Sequence, residues 1–263
     1  MCRDDNRLPN LKTPHAEKLV SSMTLAAPRK LLDIVYPVRP DDDRPNDELR
    51  WSLRSVEANY PHGWVWIVGH KPAWLTWVHH IPGNTQRFRH ANVFHNILAA
   101  CRHPNTPDEF VVFNDDFFVT EPVTEIPTQY RGLLVEHLRI PKLRQNPGGW
   151  WATSLRTTLD CLRRLGYDAP LSYELHTPFV VNKHLMAATL ERFVDVTPEN
   201  PPQWRSLYGN LHHIGGEPAG DCKMSRPGPI KYPFHSTDDS SWRMYFGVRI
   251  KAMFPNPSRY EAS

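Results

Sequence analysis

Leu31-Leu32-Asp33-Ile34-Val35-Tyr36-Pro37-Val38 is a short apolar run closed by proline, and Trp64-Val65-Trp66-Ile67-Val68-Gly69 is a second, preceded by the turn Pro61-His62-Gly63. Runs of this length between turn residues read as buried strands. Between them Asn46 or Asp47 makes a good N-cap for a helix from Glu48 to about Asn59. Its Leu49, Leu53 and Val56 recur at i, i+4 and i+7, one helical face. Strand, helix and strand in that order form a βαβ unit, which implies an α/β fold with a parallel sheet.

Working outward, Asn92 to Cys101 reads as a helix with Val93, Ile97 and Ala100 on one face, broken by Pro104 to Pro107. Glu109-Phe110-Val111-Val112-Phe113 is a third strand, and it runs into Asn114-Asp115-Asp116-Phe117-Phe118. In open α/β sheets the chemistry sits at the carboxyl ends of the strands. Two carboxylates there repel each other unless a cation lies between them, and hard oxygen ligands suit Mg²⁺ or Mn²⁺ bridging a diphosphate. The same residue types also suit a solvated turn or a helix cap, but the flanking hydrophobics put these acids at the mouth of a pocket. Asp41-Asp42-Asp43 reads better as a solvated loop feeding a helix N-terminus than as a second metal site.

The later chain is expected to hold a helix over Thr153–Leu165, an extended stretch from Glu174 to Val181, a helix from Asn182 or Lys183 to Phe193, an irregular segment from Pro198 to Gly220 and a final helix from Ser240 to Met253. A lobe over 122–220 is the only candidate subdivision. His176, in Glu174-Leu175-His176-Thr177-Pro178, is either a structural histidine or a general base or phosphate-oxygen donor whose aim the proline fixes. Arg205 sits in a loop among aromatics, in Gln203-Trp204-Arg205-Ser206-Leu207-Tyr208-Gly209, and suits a surface ion pair or a bidentate grip on phosphate. Lys223 offers a weaker form of the same chemistry. Arg139, Lys142, Arg144, Arg163 and Arg164 either face an anionic polymer or form a solvated surface.

Composition narrows the classes. The chain has 263 residues, enough for a proper core, with 31 Lys+Arg against 28 Asp+Glu. A net charge of +3 does not require a nucleic-acid partner. No stretch approaches the roughly 20 apolar residues of a membrane span, and Met1 to Arg7 is polar with no apolar run behind it. Cys2, Cys101, Cys161 and Cys222 are far apart, which reads as free thiols in a reducing cytoplasm. His79-His80 and His212-His213 lack any zinc-like spacing. There is no Gly-x-x-x-x-Gly-Lys-Ser/Thr loop, Gly-x-Ser-x-Gly elbow or Gly-x-Gly-x-x-Gly fingerprint, which disfavours common ATPases, serine hydrolases and dinucleotide oxidoreductases. The 26 prolines are about twice the usual share, so loops and short elements are expected. Residues 1–29 read as a loose arm with a short helix around Ala16–Ser22, and 30–263 as a single domain.

Several segments, in order, resemble the Stealth family, hexose-1-phosphate transferases of capsule synthesis related to the lysosomal N-acetylglucosamine-1-phosphotransferase. The segments are Leu32-Asp33-Ile34-Val35-Tyr36, then Asp47-Glu48-Leu49-Arg50-Trp51-Ser52-Leu53-Arg54-Ser55 with Phe113-Asn114-Asp115-Asp116-Phe117-Phe118, then His176-Thr177-Pro178 with Arg205, then Thr237-Asp238-Asp239 and Phe254-Pro255-Asn256-Pro257-Ser258-Arg259-Tyr260-Glu261. The resemblance spans about residues 31–261. It implies a Rossmann-like sheet similar to A-type glycosyltransferases, a nucleotide-sugar donor and a divalent cation, Mg²⁺ or Mn²⁺. Asp115, Asp116 and Asp238 would hold the cation, with Asp116, His176 and Arg205 catalytic. Tyr36, Arg39, Arg50, Asn114 and Lys223 would line the donor side. The acceptor, a glycan, a protein or a nucleic acid, is left open. Where the family's first block continues Thr-Trp-Val-Asp-Gly, this chain has Pro37-Val38-Arg39-Pro40-Asp41. That departure keeps glycosyl transfer by a similar fold beside sugar-1-phosphate transfer.

Overall fold

The computed structural model describes residues 30–40, 46–83, 88–193, 196–197, 199 and 201–262. The expected arm, its helix at Ala16–Ser22, Cys2 and the Asp41-Asp42-Asp43 loop lie outside the described residues. Leu31–Ser263 form one compact unit, and no separate lobe forms from 122–220.

In chain order the elements are β1 (Asp33–Val38), α1 (Asp47–Asn59), β2 (Val65–Gly69), β3 (His79–Ile81), α2 (Arg89–Arg102), β4 (Glu109–Val112), β5 (Phe117–Val119), β6 (Gln129–Tyr130), α3 (Leu134–His137), α4 (Pro141–Gln145), α5 (Trp150–Arg164), β7 (Phe179–Asn182), α6 (Lys183–Glu191), α7 (Trp204–Leu211), β8 (Glu217–Pro218), β9 (Phe234–Ser236) and α8 (Asp239–Ser241). A π-helical turn, Trp242–Phe246, and α9, Gly247–Met253, complete the expected final helix.

The main sheet has the order β3-β2-β1-β4-β7. β1 pairs in parallel with β2 and with β4, and β2 with β3, while β7 runs antiparallel to β4. The chain therefore builds outward from β1 through β2 and β3, then returns through α2 to place β4 on β1's other side. Such a reversal opens a crevice at the carboxyl ends of β1 and β4. Both faces of the sheet are covered, as a parallel sheet requires. Alternate strand residues serve the two faces. Ile34, Tyr36, Val111 and Phe113 pack under Leu49, Leu53 and Val56 of α1. Val35, Trp66, Phe110 and Val112 pack under Phe94, Ile97 and Leu98 of α2. A third cluster joins Leu155, Leu159 and Leu162 of α5 to Leu207 of α7.

Asn46 caps α1 from a left-handed conformation, φ 44°, and its side chain accepts from the Leu49 N–H at 3.1 Å. Asn tolerates that region better than most residues. Gly69, φ 105°, ends β2 where a Cβ would strike the Val38 carbonyl. Cys101, Cys161 and Cys222 are free and buried. Among the described residues no helix is long and apolar enough to cross a membrane.

The chain after α9 is tied back onto α1. Glu261 accepts from Arg54 Nε at 2.7 Å, Arg54 Nη2 at 2.8 Å and Arg50 Nη1 at 3.0 Å. Burial alone would raise this carboxyl, but the hydrogen bonds from Arg54, the Ser258 N–H and Arg50 outweigh it and hold it at about 2. Glu261→Gln is expected to destabilise the protein by about 1–2 kcal/mol at neutral pH, read by urea denaturation, because it leaves two partly buried guanidinium groups short of their anion. Since the folded-state value is depressed, the stabilisation is present above the ordinary 4.5 and is lost as pH falls towards 2. The wild-type and variant curves should therefore converge in acid.

Candidate active site at the strand switch point

The crevice is a cleft of about 580 Å³. Pro37 and Arg39 enter it from the end of β1, Asn114, Asp115 and Asp116 from the end of β4, and Asp47 and Glu48 from the first turn of α1. The opposite side carries Arg89 and His90 of α2, Trp150 and Trp151 of α5, His176, and Arg205 of α7. Lys223, Thr237, Asp238, Trp242 and Arg243 close the rim. The π-helical turn thus lies on the cleft, where such turns recur in functional sites.

The acidic wall is crowded. Burial, then the neighbouring Asp116, pushes the Asp115 carboxyl up, with the Asn46 hydrogen bond and Arg39 opposing. Burial, then Asp115, pushes Glu48 up to about 8. Each acid has a neutral partner, and Asp116 has a cation as well. Asn46 Nδ2 donates to Asp115 Oδ2 at 3.0 Å, Thr237 Oγ1 to Glu48 Oε1 at 2.7 Å and Ser236 Oγ to Asp116 Oδ2 at 2.8 Å. Lys223 Nζ lies 3.5 Å from Asp116 Oδ2. Asn114 Oδ1 is buried without a hydrogen-bond partner. The donor set is all oxygen and the acids cannot all ionise unaided, which fits a hard divalent cation held by one or two carboxylates and substrate phosphates. Among the described residues no three His, Cys, Asp or Glu form a group able to hold a metal by themselves.

The opposite wall is cationic. Arg205 is only 7% exposed, yet its Nε and Nη2 have no hydrogen-bond partner. Its guanidinium lies over Trp204, 4.4 Å from the ring centroid, and 5.7 Å from that of Phe117. Burial lowers its pKa, with Glu174, Asp116 and Asp221 opposing. A buried cation without hydrogen-bond partners is costly, so its retention points to an anion that arrives from outside the chain.

His176 donates from Nδ1 to Asp221, 2.9 Å to Oδ1 and 3.0 Å to Oδ2, and its backbone N–H reaches Oδ1 at 3.1 Å. That tautomer leaves Nε2 as the basic nitrogen. Burial alone would raise Asp221, but the His176 hydrogen bond and charge, and Arg131 at 3.6 Å, hold it at about 2.

The cleft gathers Arg39, Asn114, Asp115, Asp116, His176, Arg205 and Lys223, as the sequence led one to expect, and the structure departs from that reading at five points. Tyr36 is fully buried beneath α1, hydrogen-bonded to Ser52 Oγ at 2.9 Å, and does not line the cleft. Strand alternation puts it with Ile34 on the core face. Arg50 points to Glu261 and over the Trp74 ring, 4.4 Å from its centroid. Two residues apart on a helix are about 200° apart, so a cleft-facing Glu48 excludes a cleft-facing Arg50. Asp238 lines the cleft, but its Oδ1 caps α8, accepting from Ser241 N at 2.9 Å and Ser240 Oγ at 2.7 Å. It caps a helix rather than completing the acid cluster. Arg205 lies in the first turn of α7, not in a loop, and Glu174–Pro178 form no strand.

Glu48 and Asp221 were not singled out from sequence, and Asn46 was read there only as a helix cap. Glu48 is discoverable from helix phase, since it follows the N-cap and falls off the Leu49–Leu53 stripe. Asp221 pairs with a residue 45 positions away and carries no local signal.

No family model matches the chain, and no curated protein matches it. Among solved structures, the crystal structure of 4-diphosphocytidyl-2C-methyl-D-erythritol synthase from Anaerococcus prevotii is similar over 72% of this chain and 87% of that chain, at 10% sequence identity and a TM-score of 0.34.

Glu48 yields a pH test. Its folded-state value is raised, so the carboxyl favours the folded state below the ordinary 4.5, and that contribution is lost as pH rises through about 8. In EDTA, Glu48→Gln should raise the melting temperature at about pH 9, at roughly 2–4 °C per kcal/mol, and change little near pH 4.5. Differential scanning fluorimetry across pH reads both arms.

Proposed function

We propose that the protein is a metal-dependent transferase that uses a nucleotide-sugar donor and moves sugar-1-phosphate to an acceptor hydroxyl. The observation that carries this reading is the buried Arg205, with Nε and Nη2 unpartnered, in the same cleft as the Asp115–Asp116 pair at the end of β4. One wall accepts a cation and the other an anion, which is what a diphosphate requires.

Asp115 and Asp116 would hold Mg²⁺ or Mn²⁺, with Asn114 beside them. When bound, the ion supplies charge neutralisation on the donor phosphates. His176 Nε2 takes the proton of the acceptor hydroxyl while Asp221 keeps Nδ1 protonated and the ring aimed. The acceptor oxygen bonds to the β-phosphorus, the bond from that phosphorus to the bridging oxygen breaks, and nucleoside monophosphate leaves. Arg205 and Lys223 offset the negative charge on the phosphoryl oxygens. Arg39 lies on the donor side, close enough to Asp115 to favour its ionised form.

A second reading, transfer of the sugar itself with nucleoside diphosphate as product, is favoured by one feature. β1 continues through Val38, and the acid that the Stealth pattern has after this strand is missing or displaced, with Arg39 where no arginine is expected. The two readings are separated by the released nucleotide. Incubation with UDP-, GDP- and CMP-sugars and Mg²⁺ or Mn²⁺, with candidate acceptors, should release UMP or GMP in a metal-dependent way. Release of UDP or GDP would establish the second reading instead. Asp116→Ala should lower turnover by at least about 100-fold while the protein stays folded. Undiminished turnover would remove the acid pair from the mechanism.

A further inference from the structure

Two long helices begin at the cationic wall without the usual neutralising groups. α2 starts after Phe88 and α5 after Gly149, neither of which supplies a side-chain cap, and neither helix has an acidic residue in its first turn. Their opening residues, Arg89 and His90 of α2 and Trp150 and Trp151 of α5, line the cleft that Arg205 also lines. The other described helices of eight or more residues start differently, whereas the short α4 and α9 also open with neither a side-chain cap nor an acid. α1 is capped by Asn46 and opens with Asp47 and Glu48, and α6 is capped by Asn182. α7 opens without a cap of its own, but Glu174 Oε1 accepts from its Ser206 N–H at 3.0 Å.

Free N–H groups and the positive end of the helix dipole attract anions. Arg205 supplies the independent sign of a missing ligand, since it is more than nine-tenths buried with two unpartnered nitrogens. His90 donates from Nε2 to the Pro202 carbonyl at 3.1 Å, and burial brings its pKa down to about 4, so it adds no charge. Glu174, whose carboxyl burial pushes up, Asp116 and Asp221 all act on Arg205, and Asp239 lies 3.5 Å from the exposed Arg89 at the α2 start. The carboxylates of Glu48, Asp115 and Asp116 come from α1 and the end of β4, and α1 covers the sheet face opposite to α2.

We propose that the N-termini of α2 and α5 together with Arg205 form an oxyanion subsite for a phosphoryl group, one that fills without a divalent cation. It rests on the proposed use of a phosphorylated donor and deepens it. One phosphoryl group of the substrate is held by the chain alone, and another is held through the acid pair and its ion.

The test uses inorganic phosphate and pyrophosphate as probes, titrated into the full chain in EDTA at fixed ionic strength and followed by calorimetry or NMR. Wild type should bind both. Arg205→Met, which replaces a buried cation by an apolar chain of similar length, should keep or raise the melting temperature and weaken binding at least about tenfold. Trp150→Glu places a carboxylate in the first turn of α5, a position that favours the helix, and should weaken binding about two- to fivefold relative to Trp150→Gln. Binding only after metal is added would overturn the subsite. So would equal affinities in the two Trp150 variants, or unchanged affinity in a folded Arg205→Met. If Arg205→Met does not fold, the Trp150 pair decides. Metal-free phosphate binding with no turnover of any nucleotide sugar would retain the subsite and reject the transferase reading. Turnover without metal-free binding would do the reverse.

Discussion

Like charges held side by side where little water can screen them are the constraint around which this fold is arranged. Burial and then the neighbouring carboxylates raise the proton affinity of Asp115 and Glu48. Much of the surrounding structure answers that repulsion. Asn46 takes up a left-handed backbone to cap α1, and its amide also reaches Asp115. The small β5–β9 ribbon brings Ser236 beside Asp116, and Thr237 just beyond it to Glu48. Lys223, bridged to Ser236, adds the nearest cation. Removing the negative charge would relax all of these contacts, so their joint presence speaks for a bound state in which the charge is used.

The sheet separates the two electrostatic tasks. α1, on one face, contributes acid to the cleft, while α2, on the other face, contributes an uncapped helix start and Arg89. The central strands, with fully buried side chains such as Val112 and Phe113, fix the spacing between the residues of these walls through core packing. Asp221 couples the walls from a third direction. It holds His176 by ring and backbone and also faces Arg131.

Much of this was legible in the chain. The continuous apolar runs Ile34–Val38 and Val65–Val68, the Leu49–Leu53–Val56 stripe and the acid pair after Phe113 point to a parallel unit and its chemical end. What local pattern could not supply were pairings across long sequence distances. His176 and Asp221 meet because a segment without regular secondary structure passes beside another, and neither shows periodicity. The α7 start was hidden by the prolines before Trp204, which read as irregular chain but only delay the helix. Tyr36 and Arg50 belong to recognisable segments, yet their phase on strand and helix turns them away from the cleft. A motif locates a segment, and backbone period decides which of its residues can reach a ligand.

The clamp of Glu261 on Arg50 and Arg54 has a consequence for how the molecule comes into being. The sheet is complete once Asn182 has been made, and the acid pair and its facing cation by residue 205. Thr237, the π-helical turn and the Glu261 tie lie later in the chain. During synthesis the acid pair and Arg205 therefore emerge before the groups that partner Glu48 and Arg54, so the strand ends are made before the contacts that hold α1 to the later chain.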